Sequence, residues 1–448
     1  MIWLPVIVKI DNMLDRRRFL QLSGLTAAGL SVASLFSPAV AAPSATSTPS
    51  TGAYSADVAV QWFERLRQLV RVTPGFSPPV AARAYGHAGV TLYQAVVPGM
   101  PTHRSLAGQL TDLTWTPGGA IERGQWPLVA NAALAEITRR LFPTAPATEL
   151  TAVDALEASL AESLGADVEP LWRRTARLRG YAVAAVVFEW SKSDGGHQAY
   201  LNLPSGYTPP TGPGAWVPTP PAYLPALLPY WGHNRTMVSG LVSRTLADPP
   251  PPYSSDPTSS FYTAATEVYA TGRNLTDEQR AIALFWADGA GTPTPAGHWV
   301  SILSQYLTDI GAPLDVAAEA YARLGIAVND AFIACWNTKY TYNVLRPVTY
   351  IRSHIDATWS SLLVTPPFPE YTSGHSVQSA SSARVLTEQF GAVAFTDGSR
   401  SFSSFEAAAV EAAISRLYGG IHYRFGIENG VDQGREVGDE VNSLQWRR

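Results

Sequence analysis

The sequence predicts an all-α fold: two helical bundles, each of four-helix-bundle type, with long proline-rich connections. Three observations predict it. Apolar residues recur at three- and four-residue spacings along most of the chain, alternating strand patterns are scarce, and proline is concentrated between the helical stretches.

Taken in order, amphipathic spacing of bundle length runs over Asp57–Val72, Pro79–Val96, Trp126–Phe142, Leu150–Leu164 and Leu171–Trp190. Nine prolines and three glycines stand between Leu203 and Pro229, and Pro249 to Pro252 follow, so this stretch reads as irregular connection. Thr276 and Gln279 have capping-box spacing, in which the two side chains satisfy exposed first-turn amides, and open a helix through Trp286. Helical patterns resume over Asp315–Leu345, Ser376–Phe390 and Ser404–Tyr418, with no repeat at solenoid periods. The expected organisation is a signal peptide over 1–41, an N-terminal helical region over 42–200, a proline-rich connecting segment over 201–260 and a C-terminal helical bundle carrying the chemistry over 261–448.

The signal is read from Arg16-Arg17-Arg18-Phe19-Leu20, a weakly apolar run to Phe36 and the small residues Ala39-Val40-Ala41. This is the order of a twin-arginine export signal with an Ala-x-Ala cleavage site. Gly24, Gly29 and several hydroxyl residues make the run too polar for comfortable membrane spanning, and no later stretch is apolar for long enough. The mature chain is expected to be periplasmic or secreted, with no stable membrane insertion. Met13, just ahead of the arginines, is a second candidate start.

Of 448 residues, 36 are acidic and 32 basic, a net charge of −4, and only 15% are charged. There is no basic stripe, so nucleic acid is not an expected partner. The single cysteine, Cys335, excludes an intrachain disulfide and any cysteine-based zinc or iron–sulfur site. Thirteen Trp and nineteen Tyr suit aromatic-lined pockets. A homodimer is neither required nor excluded.

Against this low-charge background three polar groups stand out. Lys339 and Arg346 lie seven positions apart, which on one helix places both cations on one face, with Pro347 limiting that helix. Ser373-Gly374-His375 precedes a run of small residues, and a helix N-terminus there offers backbone N–H groups to an anion. Arg416 and His422 are about 120° apart on an ideal helix, so Gly419-Gly420 is expected to break it and bring both to one point. Three cations, a backbone nest and two imidazoles suit a tetrahedral oxyanion such as phosphate or vanadate. Arginine contributes forked donors and lysine a point charge, while one histidine serves as nucleophile or metal ligand and the other as general acid/base.

The order and spacing of Lys339, Arg346-Pro347, Ser373-Gly374-His375, Ser415-Arg416 and His422 resemble the signature of the vanadium-dependent haloperoxidases. Type 2 phosphatidic-acid phosphatases and bacterial acid phosphatases share that signature. Further stretches look like the haloperoxidase side: Leu228 to Gly232, Phe285 to Gly289, Trp336 to Pro347, Pro366 to Pro369 and Ile421 to Phe425. The resemblance covers most of residues 225 to 430. It implies that Lys339, Arg346 and Arg416 neutralise vanadate oxygens, that Ser373 and the Gly374 amide hydrogen-bond it, and that His422 is the metal ligand. It also implies His375 as acid/base with Asp288 holding its tautomer, and Trp336 and Phe368 as lining of the halide site.

Two positions depart from the pattern. Thr372 stands where proline usually precedes Ser-Gly-His, and Gly426 where an Asp usually follows the ligand histidine by four residues; either another acceptor, with Glu428 the candidate, replaces that Asp or the site is weaker. His87, His103, His197, His233, His298 and His354 are read as structural. The expected activity is that of a vanadate-dependent haloperoxidase using hydrogen peroxide, a halide and a small organic acceptor. The rival is a phosphomonoesterase of the acid-phosphatase type with a phosphohistidine at His422, and a third reading is an exported oxyanion-binding protein without catalysis.

Overall fold

The structure, a computed structural model, describes residues 49–114 and 125–448. The export signal read over 1–41 lies outside the described residues. The architecture is built around one helix, α10 (Leu314–Tyr342), 29 residues long and buried on nearly every side from Leu314 to Lys339. A helix apolar all round belongs inside a larger body.

Before it come α1 (Asp57–Val72), α2 (Pro78–Val96), α3 (Trp126–Leu141), α4 (Ala147–Gly165) and α5 (Pro170–Ser191), at the places the periodicity predicts. α1 turns Trp62, Phe63, Leu66, Leu69 and Val70 inward, and Phe63 stacks on Tyr321 of α10 at 3.7 Å. α2 runs against α10, buried from Pro79 to Val96. Its Gly89 lets the backbones meet, since a Cβ there would lie 2.4 Å from the Tyr321 carbonyl. The short α6 (Leu241–Arg244), α7 (Ser260–Arg273), α8 (Asp277–Phe285) and α9 (Thr294–Asp309) follow, α8 with the predicted reciprocal capping box between Thr276 and Gln279.

After α10 come α11 (Pro347–His354), α12 (Gly374–Phe390), α13 (Phe405–Tyr418) and α14 (Arg424–Asn442). A small antiparallel hairpin, β1 (Phe395–Asp397) with β2 (Arg400–Phe402), pairs Phe395 with Phe402. α14 packs on α12 through glycine: a Cβ at Gly434 would lie 2.2 Å from the Val377 carbonyl.

One core cluster draws on both the N-terminal and the C-terminal helices, from Ala56 to Trp446. Two expectations change. The helix expected to run to Leu345 stops at Tyr342, where Asn343 adopts φ 48° and closes it. Arg346 is instead the N-cap of α11, so Lys339 and Arg346 do not share a helix face. The proline-rich segment is tied to the break that separates them: the Trp216 amide donates to Asn343 O at 2.7 Å and the Leu345 amide to Gly214 O at 2.9 Å. Among the described residues no helix is long and apolar enough to cross a membrane.

Candidate active site

Four chain breaks bring the predicted residues together. α10 ends next to Lys339, Arg346 caps α11, Ser373 caps α12 by accepting from the Ser376 amide, and α13 ends after Arg416 so that Gly420, at φ 76°, turns His422 back. A cavity of about 550 Å³ reaches His375, Arg416 and His422. Phe332, Trp336 and Phe368 form part of its wall, with ring centroids 5.5 Å apart for Phe332–Trp336 and 4.8 Å for Trp336–Phe368.

Of the three cations Arg416 lines the cavity, while Lys339 and Arg346 lie behind the lining residues Phe368 and His422. Lys339, Arg346 and Arg416 are 0%, 0% and 4% exposed, and without balancing anions such burial is costly. Lys339 Nζ donates to the carbonyls of Pro369, Glu370 and Thr372 at 3.0, 2.9 and 2.5 Å, which uses all three of its protons. Arg346 Nε donates to Phe368 O and Nη1 to Ile421 O, both at 2.9 Å, while Nη2 has no partner. Arg416 Nη1 donates to Trp286 O at 2.6 Å, and its Nε has no partner. Burial holds Lys339 down to about 8 and each arginine to about 10. Phe368 lies under two of these charges, 5.0 Å from Lys339 Nζ and 4.9 Å from Arg346 Cζ.

His422 is buried, and burial followed by the charge of Arg346 holds its protonation far below the ordinary range. Its Nδ1 meets Glu370 Oε1 at 2.7 Å. This carboxylate was not singled out in the sequence, and it takes the role expected of Glu428, which instead sits 3.6 Å from Arg424 with a 61%-exposed side chain. Thr372, the other departure, directs its hydroxyl to Gln433 Oε1 at 2.7 Å and its carbonyl to Lys339.

His375 is held down to about 4, by burial first and then by Arg416. Its Nε2 stands 3.7 Å from Asp288 Oδ2, beyond hydrogen-bond reach, because both Asp288 oxygens face His298 Nδ1 at 3.0 and 3.1 Å. His298, expected to be structural, bridges Asp288 to Asp397 of β1, with Nε2 2.8 Å from Oδ2. Burial opposes its proton, but Asp288 and then Asp397 outweigh this and push the group up to about 10. Asp288 is correspondingly kept ionised: burial would raise it, and the two histidines, His298 foremost, hold it below the usual carboxylate range.

Among the described residues no group of three or more His, Cys, Asp or Glu side chains is placed to hold a metal cation. The unpartnered donors of Arg346 and Arg416, beside a surplus of buried positive charge and the first-turn amides of α12, fit an oxyanion instead.

Comparison with known proteins agrees. Residues 319–447 match the family model described as the VCPO second helical-bundle domain. No curated protein is similar enough to match. Among solved structures, one described as the first bacterial vanadium-dependent iodoperoxidase is 36% identical, with a TM-score of 0.79, covering 88% of this chain and 97% of its own. Holo and apo structures of a bacterial vanadium-dependent chloroperoxidase share the fold. They are 17% and 18% identical, each with a TM-score of 0.62, covering 83% and 82% of this chain and 92% and 93% of theirs. With the oxyanion floor, the matched bundle and a relative followed over almost its whole length, the chain belongs to the vanadium-dependent haloperoxidase family.

Proposed function

We propose that this protein is a vanadate-dependent haloperoxidase, which oxidises a halide with hydrogen peroxide to a hypohalous-acid equivalent that halogenates an organic acceptor. The observation that carries this is the set of three buried cations, two with unpartnered donors, around His422, which with Arg416 lines an aromatic cavity. Bound vanadate supplies the Lewis-acid centre that activates peroxide toward halide. The residues that would hold it are Arg346 and Arg416 through their free N–H groups, Ser373 and the Gly374 amide at the start of α12, and His422 through Nε2.

The side chains divide the remaining work. Lys339 keeps its protons on loop carbonyls and acts by charge, locking residues 369–372 to α10 while adding positive potential to the floor. His375, neutral near pH 7, accepts a proton at a ring nitrogen, and the nearby Asp288 carboxylate favours the imidazolium that results. Trp336, Phe332 and Phe368 exclude water from one side, and the apolar wall suits a small organic acceptor. Iodide, the most easily oxidised of the common halides, is expected to react most readily. The relative 36% identical to this chain is described as an iodoperoxidase.

The test is halogenation of a dimedone-type acceptor by protein loaded with vanadate, given peroxide and iodide, bromide or chloride, with bound vanadium measured in parallel. Bound vanadium without halogenation of any kind would overturn the reading. Aryl-phosphate hydrolysis abolished by His422→Ala, without halogenation, would favour the phosphomonoesterase in its place. Export through the twin-arginine route is part of the proposal, motivated by Arg16 and Arg17. Lysine substitution of that pair should keep the protein in the cytoplasmic fraction, and unchanged export would refute the route.

A further inference from the structure

Glu370 enters the site from the loop before α12 and is fully buried. Its Oε1 meets two nitrogens, His422 Nδ1 at 2.7 Å and the Tyr423 amide at 3.0 Å. An amide only donates, so Oε1 accepts from Tyr423, and as a carboxylate it has no proton to give, so the imidazole presents its own on Nδ1. The far side of the ring requires the same assignment. Nε2 lies 3.2 Å from Arg346 Nη1, and a guanidinium has no lone pair to offer. Both neighbours therefore leave the ring's free electron pair on Nε2, facing the cation cluster. The Glu370 main chain is anchored independently, its amide donating to Val344 O at 2.9 Å and its carbonyl accepting from Lys339 Nζ at 2.9 Å.

The carboxylate has room only because residue 426 lacks a side chain. A Cβ at Gly426 would lie 2.4 Å from Glu370 Oε1, 2.8 Å from Oε2 and 2.9 Å from Cδ. Gly426 sits in the first turn of α14 and is absent from the positive-φ glycines, so close approach, and not backbone conformation, demands glycine there. A side chain at 426, four residues beyond His422, would occupy the volume that Glu370 fills.

We propose that Glu370 is the positioning residue that directs the Nε2 lone pair of His422 toward the bound oxyanion, and that residues 370 and 426 form an exclusive pair: one carboxylate, supplied from the loop or from the helix but not from both. The affinity part rests on the vanadate reading of the site; the tautomer part does not.

The experiment is a cycle of Glu370→Ala, Gly426→Asp and the double variant, with Glu370→Gln added. Two quantities are read in the metal-free protein: the His422 tautomer, by long-range nitrogen NMR of histidine-labelled protein, and the dissociation constant for orthovanadate, by equilibrium dialysis. The parent should show the Nδ1–H tautomer. Glu370→Ala should lose it and bind vanadate about 10–100-fold more weakly, the usual cost of removing a carboxylate behind a histidine ligand. Gly426→Asp alone should also bind more weakly, because its carboxylate meets Glu370. The double variant should recover both the parent tautomer and near-parent affinity.

Glu370→Gln keeps an acceptor oxygen at nearly the same size, so it should retain the tautomer. It decides the question if Glu370→Ala does not fold. Parent-like tautomer and affinity in Glu370→Ala, a double variant no better than the weaker single, or loss of the tautomer in a folded Glu370→Gln would overturn the proposal. A parent that shows the Nδ1–H tautomer, lost in Glu370→Ala, yet binds no vanadate would overturn the functional reading while supporting the positioning role.

Discussion

Replacing His298 by leucine removes an imidazolium clamped between two carboxylates. Its side chain is 13% exposed, 3.0 Å from Asp288 and 2.8 Å from Asp397. A rise from 6.5 to about 10 corresponds to about 5 kcal/mol as an upper bound, and breaking a buried pair by removing one partner costs about 3–5 kcal/mol. With an unfolding entropy of about 2.1 cal/mol/K per residue over about 400 residues, each kcal/mol moves Tm by about 1.2 °C, so His298→Leu should melt about 4–6 °C lower. Because the folded-state value is raised, this stability is fully present below about pH 6.5 and is lost as pH rises through about 10. Calorimetry at about pH 6, 8 and 10 should show the gap between parent and variant narrowing as the solution becomes basic. Activity should respond as well. His298 is one of the charges holding His375 down, and without it only burial and Arg416 oppose Asp288 there, so the acid limb of the pH–rate profile should move to higher pH. Equal melting temperatures at about pH 6, or a gap that does not narrow by about pH 10, would refute the reasoning.

Three further outcomes follow from the geometry. Arg346→Lys keeps a charge but loses the fork with its free Nη2; at about 1.5–3 kcal/mol for a hydrogen bond to a charged group, vanadate affinity in dialysis should fall about 10- to 150-fold. Orthovanadate at about a hundred times its dissociation constant should stabilise the protein by about 2.7 kcal/mol, or about 3 °C by the same conversion, and Arg416→Ala should weaken that shift. Gly434→Ala places a Cβ 2.2 Å from the Val377 carbonyl, so urea unfolding should show at least about 1–3 kcal/mol of destabilisation from separating α12 and α14.

Most long helices were legible because their apolar periodicity is strong, and α1 begins and ends where that pattern does. α14 was not, since Gly426, Gly430, Gly434 and Gly438 occupy its buried face and glycine contributes no apolar signal. α11 has eight residues, too few to establish a period. The basic and histidine positions of the site were legible as a motif, whereas their carboxylate partners were not. Glu370 is 52 residues from His422, and His298 is 99 residues from Asp397, so only the folded chain brings either pair together. The break after Tyr342 had one local sign, Asn343, whose side chain tolerates the left-handed conformation, but the apolar Val344 and Leu345 masked it.

The cavity wall has a consequence for engineering. Residues 70–78, at the end of α1 and the approach to α2, line the cavity from the N-terminal half, while Lys339, Arg346 and Arg416 all come from the C-terminal half. Chemistry and acceptor selectivity are thereby encoded in widely separated stretches of the gene. Exchanging the 70–78 segment between relatives would recut the mouth of the pocket and leave the oxyanion site untouched, which makes that segment the natural unit for recombination libraries aimed at new acceptors.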